Sequence, residues 1–387
     1  MSARQSTPKT KRIIGLFPEL LGVGGVQEAG RQTAAALQRI AVRNGWSTRF
    51  LSLNDPPGAH SFYAGDSRIP FLGFERAKLR FVLAALRLAR RDARIALAAH
   101  PHLAIVADSM MLIAVGRLKT IVMSHGVEVW NPLPVLRRNA LLRADRVVAP
   151  SNDTAQKLAA VQGVAREKIR KLAWPLSPDF LFFADSPIEL PLSRQLPQGQ
   201  IILTVGRWSE SERYKGADEL IRAVAKLRPA FPGLNLVAVG RGDDLPRLRM
   251  LASGVGVADR VHFLDDLSGE EVASCYARAD IFALPSTGEG YGMVFLEAMA
   301  FGKPVVAAAC GGSTDLVLDG ANGLLVPPDD VEQLARALER LLKDESLRSR
   351  LGRCGAETVR RQYRFEVFEA NLERILEECG LDSRVRA

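Results

Sequence analysis

No run in this sequence approaches the roughly 20 consecutive apolar residues needed to span a bilayer, so a membrane-spanning chain is not expected. The stretch from Met1 to Lys11 is polar and basic, with no apolar core of a secretory signal, which points to the cytoplasm. Cysteine is sparse. Cys275, Cys310, Cys354 and Cys379 are widely spaced and form no C-x-x-C pair, so neither a disulfide framework nor a zinc site is expected, only reduced thiols. Aromatic residues make up 6% of the chain and do not interleave with the basic ones, which disfavours nucleic-acid binding. Acidic residues form no triplet with metal-ligand spacing. Asp243-Asp244, Asp265-Asp266 and Asp329-Asp330 are adjacent pairs whose side chains diverge, so no metal site is expected. His100 and His102 flank Pro101 without a third ligand and read as structural or surface residues. Also missing is a full Gly-x-Gly-x-x-Gly dinucleotide fingerprint.

What is present is the composition of a globular protein: 387 residues, 47% hydrophobic and 25% charged, with a mean hydropathy of +0.02. That length exceeds one ordinary core and suits two domains. The formal charge of +9 is unevenly placed. Residues 1–180 carry 27 Lys+Arg against 12 Asp+Glu, a net of +15, and the remainder carries 25 against 31, a net of −6. A basic half attracts polyanions: nucleic acid, anionic lipid or a phosphorylated substrate.

Hydrophobic periodicity organises the chain into alternating elements. Ile13–Phe17 reads as a buried strand, followed by a loop with Gly22, Gly24 and Gly25 and a helix from Val26 to Arg43. A strand over Ser47–Leu53, a helix over Arg76–Ala98, and strands over Ala104–Ala107, Thr120–Met123 and Ala144–Ala149 come next, then a helix from near Asp153. Pro175, Pro178, Pro187, Pro191 and Pro197 mark Trp174–Gln200 as the linker. The pattern restarts with a strand at Gln200–Gly206. Helix Asp218–Leu227, strands Leu234–Val239 and Val261–Leu264, helix Glu270–Ala277, strand Pro304–Ala309 and helix Val331–Leu342 continue it, and Leu347–Leu381 reads as helical throughout. Strands alternating with helices imply parallel sheets covered on both faces. The expected fold is therefore α/β, with two Rossmann-like doubly wound domains facing across a cleft, one over 1–180 and one over 181–364.

The most informative stretch runs from Pro285 to Ala300. The apolar strand Ile281–Leu284 precedes it, and Gly288, Gly290 and Gly292 lie between that strand and a helical run. A glycine-rich turn into a helix leaves the first N–H groups, here those of Met293 and Val294, free to bind an anion. Glu289 sits in the turn and Glu297 eight residues on, inside an apolar run where a carboxylate is costly without a partner. Carboxylates in these two places suit a ligand carrying sugar hydroxyls on both sides of a phosphate. Gly206-Arg207 also follows a strand, and Lys215-Gly216 precedes a helix. Ligands of open α/β sheets bind at such carboxyl ends, where two cations can neutralise a diphosphate.

Glu289 and Glu297 resemble the E-x7-E signature of the retaining, nucleotide-sugar-dependent glycosyltransferases of family four, which have the GT-B fold. The string Gly206-Arg207…Lys215-Gly216 resembles that family's G-R…K-G motif. The resemblance extends over nearly the whole chain, with specific motifs in the second half and weaker ones in the first. It implies that Glu289 contacts the transferred sugar and Glu297 the ribose hydroxyls. Arg207 and Lys215 would hold the diphosphate in place of a metal ion. Gly25 would approach donor phosphate and acceptor, and His125, in His125-Gly126, would face the sugar. The donor-binding set is thus Gly25, Arg207, Lys215, Gly292, Met293, Val294 and Glu297, and the catalytic set Glu289, His125, Arg207 and Lys215. A last helix, about 365–387, would return to the acceptor-binding N-terminal domain, with the domains closing over the reacting carbon. Departures from the pattern are Asp315, where the G-G-x-x-E loop has glutamate, and Trp174-Pro175-Leu176, where Asn-Gly is common.

The expected activity is transfer of a sugar from a UDP- or GDP-linked donor to a hydroxyl acceptor, with retention and without metal or other cofactor. A lipid-linked or glycan acceptor in polysaccharide or glycolipid synthesis fits the basic half. The basic, broadly apolar segment Phe74–Arg91 reads equally as a core-facing helix with a solvated rim or as an interfacial helix on an anionic membrane. The alternatives are an epimerase or phosphorylase on the same fold, although no pyridoxal-binding lysine is recognisable, and a non-catalytic membrane-binding protein.

Overall fold

The computed structural model describes residues 11–90, 92–186 and 196–382. The basic stretch up to Thr10, Arg91, the linker prolines Pro187 and Pro191, and residues 383–387 lie outside them. The chain divides into two compact units, residues 1–175 with 365–387, and residues 176–364.

Unit 1 contains β1 (Arg12–Phe17), α1 (Gly25–Arg43), β2 (Ser47–Ser52), β3 (Gly58–Ala64), β4 (Ser67–Gly73), α2 (Lys78–Ala89), β5 (Ala93–Ala98) and α3 (Ala104–Ile113). It continues with β6 (Lys119–Met123), α4 (Val135–Arg143), β7 (Arg146–Ala149), α5 (Asn152–Ala160) and β8 (Ile169–Lys171). The sheet order is β3-β4-β2-β1-β5-β6-β7-β8, parallel throughout except for the β3–β4 hairpin at its edge. The chain reverses its direction of growth between β1 and β5, the switch point where ligands of such sheets bind. Ile14, Leu16, Ala96, Ala98, Val122 and Val147 form the core with Phe81, Ala85 and Ala107 from the covering helices.

Unit 2 contains α6 (Pro178–Asp185), β9 (Ile201–Val205), α7 (Ala217–Leu227), β10 (Asn235–Val239), α8 (Leu245–Gly254), β11 (Val261–Leu264), α9 (Gly269–Arg278), β12 (Ile281–Leu284) and α10 (Met293–Ala300). β13 (Val305–Ala308), α11 (Ser313–Leu316), β14 (Gly323–Val326), α12 (Val331–Lys343) and α13 (Glu345–Gln362) complete it. Its all-parallel sheet has the order β11-β10-β9-β12-β13-β14, with the switch point between β9 and β12. Every residue of β10, β12 and β13 is buried, as expected of strands covered on both faces.

The last helix, α14 (Phe365–Glu378), belongs to unit 1. Arg43 of α1 binds Glu369 at 2.7 Å and Glu373 at 2.6 Å, and Arg39 reaches Glu369 at 2.9 Å. Glu369 is buried, where a carboxylate requires such partners.

Four sequence expectations are corrected. The helix expected over Arg76–Ala98 ends at Ala89, and Ala93–Ala98 is a central strand. Alanine favours helix locally, but small side chains also suit a strand between β1 and β6, and burial on both faces overrides propensity. The strand expected at Ala104–Ala107 is instead the first turn of α3. Pro101 opens a short 3-10 turn there, and the His100 ring accepts from the His102 N–H at 3.2 Å, starting a helix that the β-branched pair Ile105-Val106 disguised. The proline-rich linker contains a helix, α6, with Pro178 at its first position, where a missing N–H costs nothing. The helical tail is broken at Tyr363-Arg364, between α13 and α14.

Candidate active site

In unit 2 the loops leaving β9 and β12, the two strands at the switch point, carry the residues selected from the sequence. A 3-10 turn, Glu210–Lys215, follows β9. It is pinned at its outer end by Arg213, which binds Asp244 at 3.0 Å. At its inner end the Thr287 N–H donates to the Tyr214 carbonyl at 2.8 Å, tying the turn to the loop after β12. Lys215 is largely buried and Arg207 is 66% exposed. Arg207 lies 3.1 Å from Oε1 of Glu212, and Lys215 lies 3.0 Å from Oε2 of the same carboxylate. Glu212 and Tyr214 had no place in the sequence-based set. The only signal for them was position between Arg207 and Lys215.

The loop after β12 fixes Glu289. Gly312 donates its N–H to the Glu289 carbonyl at 2.7 Å. A Cβ at Gly311 would come within 2.6 Å of that same oxygen, so the Gly311-Gly312 pair is required for backing the Glu289 backbone closely. Burial pushes the Glu289 carboxyl above its ordinary range, and the Glu212 charge adds to this. The Lys215 ammonium and the Tyr291 N–H pull it back. Burial likewise moves the Tyr214 phenol up to about 12, reinforced by Glu212 and Glu289 and opposed by Arg207. These mutual influences place Arg207, Glu212, Tyr214, Lys215 and Glu289 in one electrostatic cluster.

Gly292 caps α10 with φ 93°, a conformation that favours glycine. A Cβ there would strike the Phe295 ring at 2.5 Å. The N–H groups of Met293 and Val294 open the helix and have no partner within it. Glu297, one turn on, accepts a hydrogen bond from the Tyr276 hydroxyl of α9 at 2.7 Å. This is the partner a carboxylate in an apolar run requires, and no local pattern in the sequence indicated it. Burial, then the Glu297 charge, raises the Tyr276 phenol well above its usual value, so it remains a donor.

The acidic pairs are committed elsewhere. Asp244 binds Arg247 and Arg213, which hold its carboxyl down at about 2, with the Arg247 hydrogen bond the largest cause. Asp266 pairs with Arg241, and Asp330 caps α12. Among the described residues no group of three His, Cys, Asp or Glu could hold a metal ion. The four cysteines are free thiols.

In unit 1, α1 begins at Gly25, the site residue selected from the sequence, and open space lies where a Cβ would go. The left-handed-region backbone of that loop falls on Gly24, with φ 143°. His125 follows β6. Its Nε2 lies 2.7 Å from the Ala99 carbonyl, and its N–H donates to Glu128 at 2.6 Å. Its ring stacks on Trp174 at 5.2 Å and on His100 at 5.6 Å. Burial, then His125 and His102, lowers His100 to about 3, so it is neutral. Trp174 therefore packs the His125 ring, a role its position beside the linker did not suggest.

Two doubly wound units, each with loops gathered at a switch point, are the architecture of the GT-B fold. Residues 23–172 match the family described as Glycosyltransferase Family 4, and residues 193–358 match Glycosyl transferases group 1. A GDP-mannose-dependent alpha-(1-6)-phosphatidylinositol monomannoside mannosyltransferase of Mycolicibacterium smegmatis is 34% identical over 278 residues, 67% of this chain and 70% of that one. A D-inositol 3-phosphate glycosyltransferase of Stackebrandtia nassauensis is 36% identical over 217 residues, 54% of this chain. The matched segment spans only 48% of that relative's length. Among solved structures, HepE of Anabaena in complex with UDP superposes with a TM-score of 0.72 at 19% identity, over 95% of this chain and 99% of that one. The chain belongs to the family-four glycosyltransferases.

Proposed function

We infer that this protein transfers a hexosyl group from a nucleoside-diphosphate sugar to a hydroxyl acceptor, with retention of configuration and without a metal ion. The observation that carries the reading is the cluster at the β9/β12 switch point. It sets two cations, Arg207 and Lys215, on the two oxygens of Glu212, and Lys215 also acts on the half-buried carboxyl of Glu289. The diphosphate gains charge as the glycosidic bond breaks, and fixed cations stabilise that charge where it develops. Arg207, Lys215 and the opening N–H groups of α10 at Met293 and Val294 supply this, with Gly292 setting their direction. Glu297, oriented by Tyr276, accepts from ribose hydroxyls. Glu289 accepts from a hydroxyl of the transferred sugar, and its desolvated carboxyl forms a strong charge-assisted bond.

In unit 1, Gly25 allows close approach to the helix α1 N-terminus, and His125, held by Ala99 and Trp174, presents to the sugar. With retention, the leaving diphosphate oxygen takes the acceptor proton on the same face of the sugar. No side chain is then needed as general base. GDP-mannose is the donor favoured by the mannosyltransferase relative, with UDP-sugars next.

A lipid-linked acceptor is favoured by that relative's name and by unit 1. Helix α2 buries Phe81, Ala85 and Ala89 yet leaves Leu79 and Leu83 exposed. A cavity of about 710 Å³ between β2, β4 and α2 is rimmed by Arg49, Arg68, Arg87 and Arg90. Peripheral attachment through this basic, partly apolar face is the form proposed; no helix among the described residues is long and apolar enough to cross a membrane. Hydrolysis of a panel of UDP- and GDP-sugars, with the anomer of the first-formed product assigned by NMR, tests the reading. Release of the inverted anomer would overturn retention, and no turnover of any member would overturn donor class.

A further inference from the structure

The two cations assigned to the diphosphate share one protein anion. Glu212 spans them with separate oxygens, Oε1 at 3.1 Å from Arg207 and Oε2 at 3.0 Å from Lys215. Two oxygens on two cations is also how a phosphate group would engage them. Glu212 is the residue at which the 3-10 turn departs from helical geometry, with φ −118° and ψ 26°. Its side chain is 17% exposed, whereas that of Arg207 is 66% exposed. A bridge to so exposed an arginine contributes little to stability. Glu212 also faces like charge, since its carboxylate acts unfavourably on Glu289. Two carboxylates gathered about Lys215 repel one another, which offsets what the bridge would gain as a purely structural contact.

We propose that Glu212 is a built-in counter-anion that fills the diphosphate subsite in the unliganded enzyme and is displaced by the donor. The inference rests on the assignment of Arg207 and Lys215 to the diphosphate. Its consequence is selectivity. A singly charged anion must displace a carboxylate that touches both cations at once, whereas a diphosphate offers several oxygens and more than one charge in exchange. Return of Glu212 to Arg207 and Lys215 also competes with the product nucleoside diphosphate and speeds its release.

Calorimetric titration with inorganic pyrophosphate, paired with thermal melting, tests this on the full chain. Glu212→Gln should bind pyrophosphate about tenfold more tightly, the scale of one charge-assisted contact. The same variant should melt close to the parent without ligand, because the bridge adds little stability, and show a larger pyrophosphate-induced rise. Dissociation of GDP, followed by stopped-flow, should slow by a similar factor. Glu212→Ala should move affinity in the same direction, which covers the case where the Gln variant folds poorly. A structural role alone would lower the melting point without raising affinity. If both Glu212 variants bind no more tightly than the parent while Arg207→Gln loses affinity, the counter-anion inference fails and the diphosphate assignment stands. If Arg207→Gln and Lys215→Met leave pyrophosphate affinity unchanged, the diphosphate assignment itself falls, and the inference with it.

Discussion

The Tyr276 hydroxyl of α9 donates to Oε2 of Glu297 on α10 over 2.7 Å. Tyr276 is fully buried, and its ring stacks on Phe301 at 5.9 Å with an interplanar angle of 15°. The carboxylate proposed to meet ribose is therefore oriented by a donor that cannot move without disturbing the core. Removing the acceptor, Glu297→Ala, should weaken binding of the nucleoside diphosphate by about 1.5–3 kcal/mol, the value of a charged hydrogen bond. Removing only the orienting hydroxyl, Tyr276→Phe, should cost less affinity and about 1 kcal/mol of stability. Calorimetry and denaturant unfolding on both variants measure the pair. Equal affinity in parent and Glu297→Ala would remove Glu297 from the site.

Glu289 carries a carboxyl whose affinity for its proton is raised by burial. In the pH range between its ordinary and its raised pKa, the folded protein binds more protons than the unfolded chain, so stability falls as pH rises. The cost is fully present above the raised pKa and absent below the ordinary one. Glu289→Gln should therefore raise the melting temperature at neutral pH, with the gain vanishing toward pH 3. Sugar transfer by the variant should drop by about 10²–10³, as on loss of a preorganised polar contact to the transition state. Melting curves across pH, with turnover at neutral pH, read both effects. A variant less stable than the parent at neutral pH would contradict the sign.

Turnover should survive excess chelator. Asp244, Asp266 and Asp330 are engaged by Arg247, Arg241 and the first turn of α12, and in the proposed mechanism Arg207, Lys215 and helix N–H groups meet the diphosphate charge. Loss of activity on chelation, restored only by added divalent ion, would defeat this assignment.

If unit 1 docks on anionic lipid, the protein should sediment with vesicles rich in phosphatidylserine or phosphatidylinositol and poorly with neutral ones. Binding should fall steeply with salt, because the surface field decays within a Debye length. Replacing Arg87 and Arg90 by Gln should weaken it by about 2 kcal/mol, roughly 1 kcal/mol per basic residue, and leave nucleotide affinity intact. Failure to sediment at low salt would favour a soluble acceptor.

The sequence alone determined the α/β alternation, the strands that enter the two glycine loops, and the spacing of Arg207, Lys215, Glu289 and Glu297. Each of these is a local signal: an apolar run as long as a buried strand, a glycine cluster, a charge at the start of a helix. It also exposed the charge asymmetry, which depends on composition only. What it misread was local too. Ala93–Ala98 has the propensity of a helix, and only its place between β1 and β6 makes it a strand. Ala104–Ala107 has the β-branched residues of a strand, and only the turn at Pro101 makes it helical. Tertiary structure decided the partners. Tyr276 reaches Glu297 from another helix, Gly312 backs Glu289 from the next loop, Trp174 covers His125 from 49 positions further along the chain, and Glu212 bridges Arg207 and Lys215. A carboxylate's need for partners can be inferred from its apolar neighbours. Which residue meets that need depends on strand order and crossing helices, and no spacing along the chain encodes that.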